Sequence, residues 1–196
     1  MKKINNFYSS NIRRYTKEYL INGWGSSKSQ NKRFETFLKI GNLNNKKILD
    51  IGCGTCSFYN FLNKKKINTS YTGMDNNLDM LELSKKKYNK IKLVHGNFLK
   101  KIPYKKNNFD YIFLSGALNL PEENHEKKIK ILIKNLYKTA KKGLAINFLS
   151  IYAKNYHRDE FYHNPLKIME IIFEINKKNI LFHNYLEHDF TVILQK

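Results

Sequence analysis

The sequence predicts an α/β protein in which helices cover a mostly parallel, seven-stranded sheet that ends in an antiparallel hairpin. Beyond residue 45, short β-like runs alternate with amphipathic helical runs, a pattern typical of a parallel sheet with crossover helices. The last two β-like runs are separated only by a tight turn, which predicts the hairpin. The 196 residues, 41% of them hydrophobic, suit one compact domain with a sizeable core.

Short apolar runs bounded by turn residues predict the strands. The five that precede the hairpin span residues 47–51, 71–75, 91–94, 111–114 and 144–148. Apolar residues at three- and four-residue intervals predict helices between them, at 57–65, 77–88 and about 122–141. In the second helix, Leu78 and Leu81 are assigned to the buried side. For the third helix, Pro121 is expected to open it and Gly143 to close it.

The two ends of the chain are predicted to differ in structure. Residues 1–45 are expected to form a helical lid or cap, with Tyr8 and Trp24 as its candidate ligand-covering residues, and residues 46–196 the main domain. After a polar, aromatic loop at 150–164, Pro165 is predicted to begin another helix. Residues 180–185 and 190–194 then form the two strands of the hairpin.

The net charge of +20 would attract nucleic acid, anionic membrane or acidic small molecules. However, only four of the 36 basic residues are arginine, and specific recognition of phosphates and bases favours arginine forks. We therefore expect solvated lysines on exposed faces, and nucleic acid is a less favoured partner. The sequence does not indicate an oligomeric state.

Cysteine content and hydropathy predict a reduced, cytoplasmic protein. Cys53 and Cys56 are too few and too close together to form a disulfide framework, and no second cysteine pair or nearby histidine completes a metal site. No run of 18 apolar residues is present, so no membrane association is expected. The N-terminus lacks the apolar centre of a secretory signal, although its basic composition is also compatible with an organelle transit peptide.

A glycine-rich segment, Asp50-Ile51-Gly52-Cys53-Gly54-Thr55-Cys56, connects the first strand to the first helix. Glycines allow a ligand to approach the backbone closely, and the helix start offers free N–H groups. Asp75 ends the next strand, where an acid can bind both hydroxyls of a ribose. Both NAD and S-adenosylmethionine satisfy these features. Ser57 replaces the third glycine of the dinucleotide fingerprint, and Asp50 suits an ammonium group better than a pyrophosphate.

Four segments of the chain, ILDIGCGTC (48–56), YTGMD (71–75), HGNF (95–98) and FDYIFLSGALN (109–119), resemble the class I S-adenosylmethionine-dependent methyltransferases. The chain looks closest to small, single-domain bacterial members of undefined substrate, through Trp24, Gln30, Arg33 and Phe34 before the first strand. The resemblance implies a Rossmann-like methyltransferase sandwich and S-adenosylmethionine as cofactor. Cys56 stands where the family usually has a third glycine, at a cost of roughly 1 kcal/mol if the position needs a positive φ.

The resemblance also implies a set of site residues. Those expected around the cofactor are Arg33, Asp50, Gly52, Cys53, Gly54, Met74, Asp75, Asn76, Asn97, Phe98, Ser115 and Gly116. Residues that bind the acceptor are expected in the loops after the fourth and fifth strands, at the carboxyl end of the sheet. The candidates in these loops are Asn119, Tyr156 and Arg158. His157 and His163 are the candidate general bases, because histidine titrates near neutral pH.

The predicted function is methyl transfer to O, N or C of a small molecule, with acidic or sugar-like metabolites among the candidates. The enzyme mainly has to align the reacting atoms, so a general base is optional. RNA or protein methylation, favoured by the basic surface, and a non-catalytic cofactor-binding protein are the alternatives. Enzymes that methylate base amino groups carry an Asn/Asp-Pro-Pro-aromatic motif after the fourth strand, where this chain has Ser115-Gly116-Ala117-Leu118.

Overall fold

The computed structural model describes residues 2–121 and 123–196 and contains the predicted seven-stranded sheet. The strands are β1 (Lys46–Ile51), β2 (Thr69–Asp75), β3 (Lys92–His95), β4 (Phe109–Ser115), β5 (Ala140–Leu149), β6 (Asn179–Leu186) and β7 (Asp189–Gln195). Their order across the sheet is β3-β2-β1-β4-β5-β7-β6. Neighbours from β3 to β5 pair in parallel, whereas β7 pairs antiparallel with both β5 and β6. The predicted fold class is therefore confirmed.

Seven α-helices are found in the described part of the chain. They are α1 (Lys2–Arg14), α2 (Glu18–Ile21), α3 (Ser27–Phe37), α4 (Ser57–Lys64), α5 (Leu78–Lys87), α6 (His125–Thr139) and α7 (Pro165–Ile175), with a short 3-10 helix at Leu38–Ile40. Side chains of Asn77 and Asn164 cap α5 and α7 by accepting from the N–H groups of Met80 and Leu166, at 3.0 and 2.9 Å. Among these helices, none has the length and apolar character required to cross a membrane.

The sheet separates two hydrophobic clusters, because successive side chains of a strand point to opposite faces. Ile48 and Phe113 belong to the cluster that includes the aromatic residues of α3 and α4. Leu49 and Ile112 belong to the other cluster, with apolar residues of α6 and α7. All four side chains are fully buried. The central strands are thus covered on both faces, which explains their near-continuous apolar sequences.

The predictions for the ends of α6 and for the buried side of α5 are wrong. Residue 122 lies outside the described residues, and α6 begins at His125 after Asn124, whose φ is 54°. The helix ends at Thr139, and Gly143 lies inside β5, where a Cβ would be only 2.8 Å from the carbonyl oxygen of Leu194. Leu78 is 53% exposed, so its assignment to the buried side is wrong, whereas Leu81 is 6% exposed and buried as predicted. Apolar spacing identifies a helix, but it does not fix the helix ends or rotation, which depend on packing.

The N-terminal segment forms helices, as predicted, and packs on the main domain at several places, two of which involve its helices α1 and α3. Helix α1 contacts α5, and α3 contacts β6 and β7 of the hairpin. At the second place, the guanidinium of Arg33 forms an ion pair with the carboxylate of Asp189, and both side chains are at most 3% exposed. The division of the chain into a lid and a main domain stays a prediction.

The ion pair between Arg33 and Asp189 gives a test of how the hairpin is held. We expect Asp189→Asn to lower the free energy of unfolding by about 3–5 kcal/mol, because it leaves the Arg33 charge buried without a counter-charge. The double variant Arg33→Met with Asp189→Asn removes both charges and should cost less than Asp189→Asn alone. Urea unfolding of Asp189→Asn, Arg33→Met and the double variant measures this, and strictly additive losses would contradict it.

Candidate functional site

A cavity of about 610 Å³ lies at the carboxyl ends of β1, β2 and β4 and is covered by the N-terminal segment. Such cavities in parallel sheets are the usual ligand sites of this architecture. It brings together most of the residues predicted for the site: Asp50, Gly52, Cys53, Gly54, Asp75, Asn76, Asn97, Phe98, Ser115, Gly116, Asn119 and Arg158.

The glycine-rich loop between β1 and α4 needs a left-handed backbone at three positions. The φ values are 68° at Gly52, 51° at Gly54 and 58° at Cys56. A Cβ on Gly52 would overlap the Cβ of Ala117, so only glycine fits there. Cys56 adopts the strained conformation anticipated from the sequence, at a cost of roughly 1 kcal/mol. The N–H groups of Gly52 and Cys53 donate to the carbonyl oxygen of Met74, at 2.8 and 3.2 Å, which joins the loop to β2.

The carboxylate of Asp75 joins the end of β2 to the glycine-rich loop and to α5. One carboxylate oxygen accepts from the N–H of Gly54 and the other from the N–H of Asn77, both at 2.9 Å. Burial raises the pKa of Asp75, and these backbone N–H groups oppose the rise. A carboxylate oxygen can accept more than one hydrogen bond, so each oxygen of Asp75 retains capacity for a ligand hydroxyl.

Asp50 is the second buried acid of the cavity, with 4% of its surface exposed. The Tyr71 hydroxyl donates to its carboxylate at 2.5 Å. Burial raises the pKa of Asp50 to about 7, the Tyr71 hydrogen bond opposes this, and the Asp75 charge adds to it. A cationic ligand group beside Asp50 would favour the ionised carboxylate. The site is therefore suited to an ammonium group.

Asn22 of the N-terminal segment holds the far side of the glycine-rich loop. Its amide nitrogen donates to the hydroxyls of Thr55 and Ser57, at 2.7 and 2.9 Å. Its amide oxygen accepts from the N–H of Thr55 at 3.1 Å. The chain before β1 therefore contributes directly to the shape of the loop.

Trp24 covers the opening of the cavity beside the end of β4. Its indole occupies the space that a Cβ on Gly116 would fill. The Arg33 guanidinium lies 4.1 Å from the centre of the Trp24 ring and pairs with Asp189 behind it. Arg33 thus supports Trp24 from outside the cavity wall. This placement does not support the contact with the cofactor that was predicted for Arg33.

Tyr8 and Glu160 line the cavity from two separate parts of the chain, α1 and the loop after β5. Burial raises the pKa of Tyr8, and the nearby carboxylates of Asp75 and Glu160 raise it further. The Tyr162 hydroxyl donates to the Glu160 carboxylate at 2.9 Å and fixes its position. The cavity is therefore covered from two sides by separate parts of the chain.

Polar groups without partners remain at the end of the cavity beyond β4. The amide oxygen of Asn119 and the hydroxyl of Ser115 are buried and have no hydrogen-bond partner within the described residues. Asn119 is only 6% exposed, and its backbone carbonyl accepts from the N–H of Phe161 at 2.7 Å. Buried polar atoms without partners are rare in proteins, and here both belong to residues that line a cavity which a ligand can fill.

His163, predicted as a candidate base, lies outside the cavity wall. Its ring is buried among Phe148, Phe161 and His125, and its Nε2 is 3.1 Å from the carbonyl oxygen of Leu118. Burial lowers the pKa of His163 to about 4. This placement does not support a role in proton transfer. The histidine whose side chain does line the cavity is His125, at the start of α6.

Three other predicted residues also lie away from the cavity. Met74 is 1% exposed and its side chain belongs to the core. Tyr156 is 57% exposed, and its hydroxyl donates to the carbonyl of Ile151. His157 is exposed, and its backbone N–H donates to the Tyr162 hydroxyl at 3.0 Å. Neither Tyr156 nor His157 is positioned to contact a ligand in the cavity.

Sequence reasoning missed several lining residues, among them Phe7, Asn22, His125, Asp159 and Glu160. Asn22 and Phe7 precede β1, and no motif marks them. Asp159 and Glu160 directly follow Arg158, which was predicted to bind the acceptor. Their position in the same loop after β5 could have identified them as lining residues.

Comparison with known proteins identifies the domain. Residues 48–143 match the family model described as a methyltransferase domain. No curated protein matches the sequence.

Solved structures share the fold at low sequence identity. Magnesium protoporphyrin IX methyltransferase from Synechocystis PCC 6803, crystallised with bound S-adenosylhomocysteine, is 14% identical with a TM-score of 0.72, and the match covers 100% of both chains. A methyltransferase dependent on S-adenosylmethionine from Archaeoglobus fulgidus is 14% identical with a TM-score of 0.69, over 88% of this chain and 95% of that one. Another from Mesorhizobium loti is 13% identical with a TM-score of 0.66, over 88% and 99%.

The raised pKa of Asp50 predicts a pH-dependent effect on stability. The pKa is about 7 in the folded protein against an ordinary 3.8, so ionisation of Asp50 lowers folding stability as the pH rises through this range. We expect Asp50→Asn to raise the free energy of unfolding by about 1–3 kcal/mol at about pH 8, and by less at about pH 5. Urea unfolding at the two pH values measures the gain. Asp79→Asn, an exposed change on α5, is the control, and an equal gain at both pH values would contradict the assignment.

Proposed function

We propose that this chain, which carries a class I, S-adenosylmethionine-dependent methyltransferase domain, transfers the methyl group to a small molecule held in the same cavity. One observation carries the proposal: the cavity, of about 610 Å³, is lined both by the N-terminal segment, through Tyr8 and Trp24, and by the loop after β5, through Glu160. A concave cavity of this volume, with walls from two separate parts of the chain, accommodates a small acceptor more readily than a folded macromolecule.

The residues present fit the cofactor. The carboxylate of Asp75 can accept hydrogen bonds from the two ribose hydroxyls, as the capacity of its oxygens allows. Asp50 can bind the ammonium of the methionine part, next to the backbone of Gly52 and Gly54. Asn97 and Phe98 supply an amide and an apolar ring for the adenine. Asn97 is already fixed, because its side-chain oxygen accepts from the N–H of Leu99 at 3.0 Å.

Bound S-adenosylmethionine supplies an electrophilic methyl group attached to a positively charged sulfur. When the methyl group is transferred, the rest of the cofactor remains as a neutral thioether. The task of the protein is to align acceptor and methyl, and to exclude water. Ser115 and Gly116 lie at the end of β4, where this alignment takes place, and Trp24 restricts the opening there. Asn119 and Arg158 form the acceptor side of the wall. His125 is the histidine placed to accept a proton when the acceptor requires it.

The identity of the acceptor class is tested by following a labelled methyl group. The full-length protein is incubated with methyl-labelled S-adenosylmethionine and a cell extract, which is then separated into small molecules, RNA and protein. We expect label above the no-enzyme control only in the small-molecule fraction. Label in RNA would indicate an RNA methyltransferase, whose basic surface binds nucleic acid. Label in protein would indicate a protein methyltransferase. Cofactor binding without transfer to any fraction would indicate a non-catalytic binding protein.

Asp75 is the most direct test of the cofactor site. We expect Asp75→Ala to weaken the binding of S-adenosylmethionine by about 1.5–3 kcal/mol, through the loss of charge-assisted hydrogen bonds. Equilibrium dialysis with labelled cofactor measures the dissociation constant. The matched control is Asp79→Ala, which removes an exposed carboxylate four residues further along the chain and should leave affinity unchanged. Unchanged affinity in the Asp75 variant would remove this residue from the site.

A further inference from the structure

The cavity has the opposite charge to the rest of the molecule. Four carboxylates line it, from Asp50, Asp75, Asp159 and Glu160, against one cationic side chain, that of Arg158. Within the side chains that the structure describes, at residues 5–121 and 123–196, no lysine reaches the cavity wall. The chain as a whole carries a net charge of +20. Composition alone therefore does not account for the acidic lining.

The cofactor accounts for only half of these acids. Asp50 and Asp75 belong to β1 and β2, where S-adenosylmethionine is proposed to bind. Asp159 and Glu160 lie in the loop after β5, on the acceptor side. Glu160 is held in place by the hydrogen bond from Tyr162, at 2.9 Å. Arg158 offsets one of these two charges, and the remaining net negative charge disfavours an anionic acceptor, since like charges at close range are a common means of rejecting a ligand.

An independent observation on the acceptor side also indicates a ligand that donates hydrogen bonds. Asn119 lines the cavity, and its amide oxygen is buried and has no partner among the described residues. It accepts hydrogen bonds and cannot donate them. An N–H or O–H group of a ligand would satisfy it, whereas an ionised carboxylate or phosphate would not.

Aromatic rings complete this part of the wall. Phe7, Tyr8 and Trp24 line the cavity from the N-terminal segment, and Tyr8 lies near the carboxylate of Glu160. Aromatic faces together with a carboxylate are a common arrangement for binding an ammonium group. The acidic or sugar-like metabolites considered from sequence fit this lining less well than an amine.

We propose that the methyl acceptor is a small amine, recognised by the Glu160 carboxylate, the Asn119 amide oxygen and the aromatic side chains of the N-terminal segment. This rests on the proposed function. The bound ammonium group first passes a proton to the imidazole of His125 in the cavity wall, which later releases it to solvent, and the nitrogen lone pair then forms the N–C bond. The C–S bond breaks at the same time, its electron pair stays on sulfur, and the product is a methylated ammonium ion. Glu160 acts as a binding residue in this step.

The charge of the acceptor can be measured before its identity is known. The small-molecule fraction of the extract is passed over cation-exchange and anion-exchange resins, and each eluate is assayed with labelled S-adenosylmethionine. We expect the acceptor activity to elute from the cation exchanger, and mass spectrometry to find the added methyl on nitrogen. Activity retained by the anion exchanger or by neither resin, or a methyl on oxygen or carbon, would overturn the amine. Absence of label from all small-molecule eluates would instead reject the proposed function, and the amine with it.

A matched pair of variants tests the role of Glu160. We expect Glu160→Gln to raise the KM for the amine-containing eluate about 10-fold or more, because a charge-assisted contact is lost. The affinity for S-adenosylmethionine should stay the same, which a general loss of folding would not allow. Glu170→Gln, an exposed change on α7, should alter neither quantity. An unchanged KM in the Glu160 variant would exclude this residue from acceptor binding.

Discussion

The hydrogen bond from the N–H of Gly54 to the carboxylate of Asp75 is the contact on which the site depends. It fixes the end of β2 against the glycine-rich loop, while the second oxygen of Asp75 holds the start of α5 through Asn77. Parallel pairing places Asp50 of β1 opposite Gly73 of β2, so the two acids lie at the same edge of the sheet. Backbone N–H groups partly compensate the buried charge of Asp75. A cationic ligand would compensate that of Asp50, so that ligand binding and stability are linked.

The N-terminal segment is joined to the same contacts. The side chain of Asn77 donates to the carbonyl of Asn5 at 3.0 Å, and Asn22 holds Thr55 of the loop. At the other end, the pair formed by Arg33 and Asp189 places Trp24 above Gly116. The glycine-rich loop and the N-terminal residues that line the cavity are therefore held by one connected set of contacts.

The sequence predicted the strands, their order of appearance, the hairpin and the glycine-rich loop, since these depend on local spacing. It also placed Asp75 at a strand end, because parallel strands share one functional edge. It could not predict that Arg33 pairs with Asp189, 156 positions away along the chain, or that His163 is buried beneath Leu118. Residue type alone does not say whether an arginine or histidine faces a ligand or the core. The contrast between an acidic cavity and a basic surface likewise depends on which residues the fold brings together.

The central claim is that the cavity at the ends of β1, β2 and β4 binds S-adenosylmethionine. A calorimetric titration of the full-length protein with S-adenosylmethionine, with NAD titrated in parallel, tests it most directly. We expect one molecule of S-adenosylmethionine to bind per chain with a measurable heat, and NAD to give none. Binding of NAD alone, or of neither compound, would contradict the account.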